Sequence, residues 1–230
     1  MAHAGLKLCP AIWLSRGSLT RRKTADNVSY VKLARVETCL RRGRGRRLVA
    51  TAVCDNERMT SGLLLIDAQR NMLEGEDAVP SANQMKDALS RLLDSARAAE
   101  AVVVHVQNDG PPGSPDEPHT DGWELVFPPD AGELVVRKEE SDTFASNPGL
   151  AASLRDRGVD RVVVAGMQSE FCVEATSRGA LGEGFVVLLP RGGHATYDDE
   201  TSAAEVSLAS EEALGAEGVE IVNLDQVEFG

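Results

Sequence analysis

No stretch of apolar residues in this 230-residue chain comes near the ~18 to 20 needed to cross a bilayer, and the first thirty residues carry no secretory apolar segment. Neither membrane insertion nor ordinary export is therefore expected. Cysteine is scarce. Cys9, Cys39, Cys54 and Cys172 are too sparse for a disulfide scaffold and form no CxxC pair, which fits a reducing compartment and makes the cytoplasm the expected location. No histidine stands in an HxH or HExxH spacing, so no metal and no other cofactor is expected. Nor is there a repeat of solenoid length, a collagen pattern or a coiled-coil pattern. The composition itself, 42% apolar, is enough to bury a core in one large domain or two small ones.

The net charge of −12 hides a split: residues 1–58 hold 13 Lys and Arg against 4 Asp and Glu, and residues 59–230 hold 11 against 32. Clusters such as Arg21, Arg22, Lys23 and Arg41, Arg42, Arg44, Arg46, Arg47 occur in the first segment without a sustained helical or strand period, so little stable structure is expected there. Such a segment reads as a tail for an anionic partner, as an Arg-rich transit peptide, or as sequence outside the working protein. The last reading is favoured, with Met59 as the true start, because the composition changes there and a strand follows at once. The acidic domain from 59 to 230 is not expected to bind nucleic acid.

Six short runs rich in β-branched residues or leucine follow: Leu63 to Asp67, Ala101 to Gln107, Glu133 to Arg137, Arg161 to Met167, Phe185 to Pro190 and Glu220 to Leu224. Nearly continuous apolar strands imply burial on both faces. Helices are expected over Pro80 to Glu100, Pro148 to Gly158, Ser169 to Gly184 and Asp199 to Gly215, with Leu89, Leu92, Leu93 and Ala96 at helical spacing. The alternation predicts an α/β fold: a doubly wound, mostly parallel six-stranded sheet with helices on both faces, a Rossmann-like three-layer sandwich. The connection from Asn108 to Gly132 carries six prolines and is too long for an ordinary linker, which marks it as functional.

Ligands of such sheets gather beyond the carboxyl ends of the strands. There the sequence places Asp67 with Gln69 close behind, Lys138, and Cys172 in Gly166-Met167-Gln168-Ser169-Glu170-Phe171-Cys172. If Ser169 caps the following helix, Cys172 lies about one turn in, where free N–H groups and the helix dipole favour thiolate. Each residue also has an ordinary reading: a small buried hydrophobe, a loop-starting carboxylate, a solvated lysine. Together they make a set, because a thiol nucleophile needs a base for its proton and a cation to hold both. His105 falls inside a strand and reads as a core residue, while His119 and His194 are placed to line a pocket.

The segments LLLIDAQRNML, KEESDTF, VVVAGMQSEFCVEATSRGALGEGF and GGHAT, in this order and spacing from about Gly62 to the C-terminus, resemble the isochorismatase-like cysteine hydrolases, relatives of nicotinamidase and N-carbamoylsarcosine amidase. The resemblance implies a catalytic triad of Asp67, Lys138 and Cys172, a cis peptide between Met167 and Gln168, and an oxyanion hole made by the N–H groups of Gln168 and Cys172. It also implies a homodimer or homotetramer acting on a small-molecule substrate. The implied reaction is cleavage of a small non-peptide C–N bond of amide type through a thioester. Isochorismatase-type vinyl-ether hydrolysis is the alternative within the family, and a non-catalytic ligand-binding or redox-responsive protein the alternative outside it. Retention of Cys172 argues for the cysteine hydrolase branch.

The chain departs from the family pattern in three places. Asn108, Asp109 and Gly110 stand where nicotinamidases carry an Asp-x-His metal motif; Gly192-Gly193 stands for the frequent Asp-Ala; Arg70 stands for the usual Asn. Gln69, His119, Trp123, Phe127, Phe144 and Phe171 are the candidate substrate-pocket residues, with ordinary core packing as the competing reading for the aromatic ones.

Overall fold

The computed structural model describes residues 20–24, 27–31 and 60–229. The chain divides into two compact units between Arg58 and Met59. In the first, β1 (Thr20–Thr24) and β2 (Asn27–Val31) pair antiparallel, a ladder that the expectation of little stable structure did not include. The arginine cluster from Arg41 to Arg47 and the proposed start at Met59 lie outside the described residues, as do Cys9, Cys39 and Cys54.

The second unit is built on β3 (Thr60–Ile66), β4 (Val102–Asn108), β5 (Leu134–Lys138), β6 (Val159–Met167), β7 (Val186–Arg191) and β9 (Glu220–Asn223). These match the six expected strands to within a few residues. A two-residue strand, β8 (His194–Ala195), adds a seventh by pairing with the end of β6. All pairings in this sheet are parallel, in the order β5-β4-β3-β6-β7-β9. Strand order therefore reverses between β3 and β6, the switch point beside which ligands of open α/β sheets bind.

Alternation along the buried strands sends side chains to two cores. Leu63 and Leu65 of β3, with Val163, Ala165 and Met167 of β6, face one; Leu64 and Ile66, with Val162 and Val164, face the other. The first core is covered by α1 (Arg70–Leu73) and α2 (Ala82–Ala98), the latter through Met85, Leu89, Leu92, Leu93 and Ala96 on one helical face. The second packs against α3 (Thr143–Ser146), α4 (Leu150–Asp156), α5 (Glu174–Gly182) and α6 (Ala203–Glu217) through Phe144, Leu150, Leu154, Ala180 and Leu214. The three-layer architecture is as expected. α1 and α3, of four residues each, carry too little periodicity to be read from sequence.

Helix α6 begins at a capping box of Ser202 and Glu205 and stops at Gly218, whose φ is 109°. A different glycine matters to the site. At Gly166, φ is 132°, and a Cβ placed there would lie 2.0 Å from the Ile66 carbonyl oxygen. Only glycine lets the end of β6 approach β3 this closely at the switch point.

Candidate active site

Three carboxyl strand ends and one helical turn meet at the switch point. Asp67 follows β3 with φ +48°, a left-handed conformation fixed by its N–H bonding to the Val106 carbonyl at 2.9 Å. Lys138 ends β5, and its ammonium donates to Asp67 Oδ2 at 2.9 Å, to Asn108 Oδ1 at 3.0 Å and to Cys172 Sγ at 3.2 Å. Asp67 and Lys138 are buried, while Cys172 is partly buried. Asp67 Oδ1 is buried with no donor in hydrogen-bonding geometry; the thiol is the acid beside this carboxylate. The three residues that sequence reasoning grouped therefore do converge.

Cys172 sits in a turn of π-helix, Ser169–Val173, that leads into α5. Gln168, not Ser169, is its N-cap. The Gln168 carbonyl accepts from the N–H groups of Phe171 at 3.2 Å and Val173 at 3.1 Å, so these two bonds pass over the N–H of Cys172 between them. The Met167–Gln168 peptide is cis, as the resemblance implied.

The surroundings of the sulfur work against the thiolate that the helix end was expected to favour. Burial, and then the Asp67 anion, push the Cys172 thiol up to about 11, against the pull of Lys138. Burial likewise raises the Asp67 carboxyl, although Lys138 and the Cys172 thiol act to lower it. For Lys138, burial opposes the charge, but Asp67 and then Cys172 carry the net shift upward, and the ammonium stays charged. One cation thus faces two acids, and the second proton is costly to remove. Burial therefore disfavours charge on both the carboxyl and the thiol, and the Lys138 ammonium works against it on each.

Asn108 was missed as a site residue, having been read only for the absence of a metal motif. Besides accepting from Lys138, it donates through Nδ2 to Asp116 Oδ2 at 2.7 Å, which ties the ammonium to the Pro-rich connection. Its place at the carboxyl end of β4, between the two strand ends already chosen, was the available signal.

The candidate pocket residues fall into different roles. Gln69 is buried, and its amide is fully engaged: Nε2 donates to the carbonyls of Asn108 and Trp123 at 3.0 and 2.9 Å, and Oε1 accepts from the Asn108 N–H at 2.8 Å. It fastens the long connection over β3 and offers no free polar group to a ligand. Trp123 donates through Nε1 to Asp109 Oδ1 at 2.8 Å and lies under the Arg137 guanidinium, 5.0 Å from the ring centre, with His119 tilted against it at 5.3 Å. His119 is exposed and has φ +73°.

Phe127 packs against the first core. Phe144, 6% exposed, belongs to the second core against Phe185, which corrects its reading as a pocket wall. Phe171, 56% exposed, flanks Cys172 directly. A groove of about 470 Å³ lined by Asp109, Arg137, Lys138, Glu139, Glu140, Ala145 and Ser146 touches the cluster only through Lys138, and none of the six candidates lines it. Among the described residues no three His, Cys, Asp or Glu side chains converge as a metal-binding group.

A family model for the isochorismatase domain matches residues 61–220. The chain belongs to the isochorismatase family. It is similar to a streptothricin hydrolase of Streptomyces noursei, 49% identical over an alignment of 175 residues, with 72% of this chain and 69% of that protein covered. A second streptothricin hydrolase of the same organism is also 49% identical, over 70% of this chain and 61% of its own length, so the chain spans under two thirds of that relative. The solved pyrazinamidase of Pyrococcus horikoshii in complex with zinc shares the fold with a TM-score of 0.61 and 24% identity, over 71% of this chain and 98% of that one. The N-carbamoylsarcosine amidase of Thermoplasma acidophilum does so at 0.63 and 22%, over 74% and 99%. No helix among the described residues is long and apolar enough to cross a membrane.

Proposed function

We propose that this chain is an amidohydrolase whose nucleophile is Cys172, with streptothricin, the compound named for its 49% identical relatives, as the first substrate to test. The observation that carries the reading is a single ammonium, Lys138 Nζ, within hydrogen-bonding reach of both Asp67 Oδ2 and Cys172 Sγ. A lysine in this position orients a carboxylate and a thiol for proton exchange, and nothing in the packing of two cores requires it.

The order of events follows from the charges. Asp67 takes the thiol proton as sulfur attacks the carbonyl carbon, which keeps one proton on the pair throughout. The Gln168 and Cys172 N–H groups receive the developing oxyanion, where loss of one such donor costs about 3 kcal/mol of transition-state stabilisation. As the tetrahedral species collapses, the C–N bond breaks and Asp67 passes its proton to the departing nitrogen, leaving a thioester. Water, deprotonated by the same carboxylate, adds to the thioester, and the returning proton restores the thiol. The raised Asp67 suits this double duty, because a stronger base accepts a proton more readily from sulfur and from water.

Release of a hydrolysed product from streptothricin, followed by mass spectrometry with the wild type and Cys172→Ala, tests the proposal. Turnover lost in the variant is the expected outcome. Turnover of an ether substrate that survives Cys172→Ala would instead place the chemistry on Asp67 and Lys138 alone.

A further inference from the structure

The turn that carries Cys172 is held on its other side by buried polar groups that the mechanism above does not use. Ser169, the first residue of the turn, is buried, and its Oγ lies 2.8 Å from His194 Nδ1 and 2.9 Å from Ser207 Oγ. His194 belongs to β8, whose backbone pairs with Gly166, and is itself buried. Its Nε2 lies 3.5 Å from Glu211 Oε1 and makes no hydrogen bond. Glu211, one turn beyond Ser207 on α6, accepts from Arg191 Nε through its other oxygen at 3.1 Å. His194 in turn holds the Glu211 carboxyl below the ordinary carboxylate range, so an anion stands opposite the imidazole.

Burying a serine, a histidine and a glutamate together is costly unless they satisfy one another. Ser169 and His194 pair directly, and the Glu211 carboxylate faces the remaining imidazole nitrogen. A carboxylate opposite Nε2 keeps a proton on that nitrogen, which leaves Nδ1 as an acceptor. The Ser169 hydroxyl then donates to Nδ1 and accepts from Ser207. The chain runs from Ser207 through Ser169 and His194 to Glu211, and ends on Arg191. Neither His194 nor Glu211 contacts the Asp67, Lys138 and Cys172 side chains, so an effect on the sulfur must act through the backbone of the turn.

We propose that Ser169, His194 and Glu211 form a positioning relay that fixes the Cys172 turn from the α6 side, so that the sulfur stays within reach of Lys138 and Asp67. The charged groups facing the sulfur are Asp67 at the end of β3 and Lys138 at the end of β5. On its own turn, the Glu170 carboxylate is engaged by Thr196 Oγ1 at 2.8 Å. Loosening the turn moves the sulfur away from its buried place and from the Asp67 anion, the two causes that raise the thiol. Its titration then falls back toward that of an ordinary cysteine.

The test needs no substrate, so its outcome is separate from that of the hydrolase proposal. The rate of Cys172 alkylation by iodoacetamide is measured against pH in the wild type, Ser169→Ala, His194→Gln and His194→Asn, with a melting temperature for each. Asparagine presents a polar atom near the place of Nδ1, whereas glutamine reaches only that of Nε2. The wild type is expected to inflect at about 11. Ser169→Ala and His194→Gln are expected to inflect lower by about one pH unit or more, while His194→Asn keeps the wild-type profile even where its melting temperature drops as far as that of His194→Gln. Wild-type profiles in Ser169→Ala and His194→Gln, or a shift in His194→Asn equal to that in His194→Gln, overturn the relay. If both larger changes prevent folding, Ser207→Ala carries the test: a smaller downward shift supports the relay and an unmoved profile refutes it.

Discussion

Removing one charge from Asp67 should make Cys172 more reactive and the enzyme less active at the same time. The carboxylate is one of the two main causes that hold the thiol up at about 11. Asp67→Asn therefore lets it fall, and a fall of one unit gives about ten-fold faster alkylation by iodoacetamide near pH 8. The same change removes the proposed base, so amide turnover should drop by about 10² to 10⁴-fold. A thiol activated independently of the carboxylate would show the two rates moving together. In the wild type, the proposed mechanism assigns the acid limb of kcat/KM to the carboxylate. Activity should be lost as pH falls through a midpoint above the 3.8 of an ordinary aspartate, because burial raises Asp67 and only its charged form accepts the thiol proton. At this scale the residue types were legible in the sequence, since chemistry at strand ends is sparse enough to choose from. The burial that raises both acids was not. A helix N-terminus can be read from sequence, but the burial of a sulfur beside an aspartate cannot.

The elements that bring these residues together rest on close backbone approaches. Gly166→Ala would drive a Cβ to within 2.0 Å of the Ile66 carbonyl at a φ that alanine disfavours, so the ends of β3 and β6 must separate. We expect a loss of about 3 kcal/mol or more in urea unfolding, with activity impaired in the fraction that remains folded. The Pro-rich connection shows both the reach and the limit of sequence reading. Its length and prolines mark it as functional, yet nothing in them says that residues 122–126 lie along 68–71. There the Arg70 N–H bonds to the Glu124 carbonyl, the Val126 N–H to that of Ala68, and Gln69 pairs with Leu125. Gln69 became a fastener for that reason, because its amide matches a backbone that arrives from more than fifty residues away. Phe144 went to the core by a similar route: the four-residue α3 turns it toward Phe185, a contact between separate segments that no local period encodes.

Over residues 60–229, burial of the sheet on both faces was legible because its strands are nearly continuously apolar, and alternation along them then divides their side chains between two cores. The strand order required the structure, but once known it explains why three distant segments share one site. The C-terminus closes the first core through Val227 and Phe229, beyond the last strand. Phe229→Ala should cost about 3 kcal/mol in urea unfolding while leaving KM unchanged in the folded enzyme, since the side chain supports the sheet from a face and not from its carboxyl edge. The convergence of Asp67, Lys138 and Cys172 stands at the centre of this account, and a covalent intermediate tests it most directly. Enzyme turning over streptothricin is quenched in acid and digested, and the peptide bearing Cys172 is weighed. An adduct on Cys172 equal in mass to the acyl portion of the substrate is expected, absent from Asp67→Asn. Steady turnover with Cys172 unmodified, and undiminished in Cys172→Ala, would contradict it.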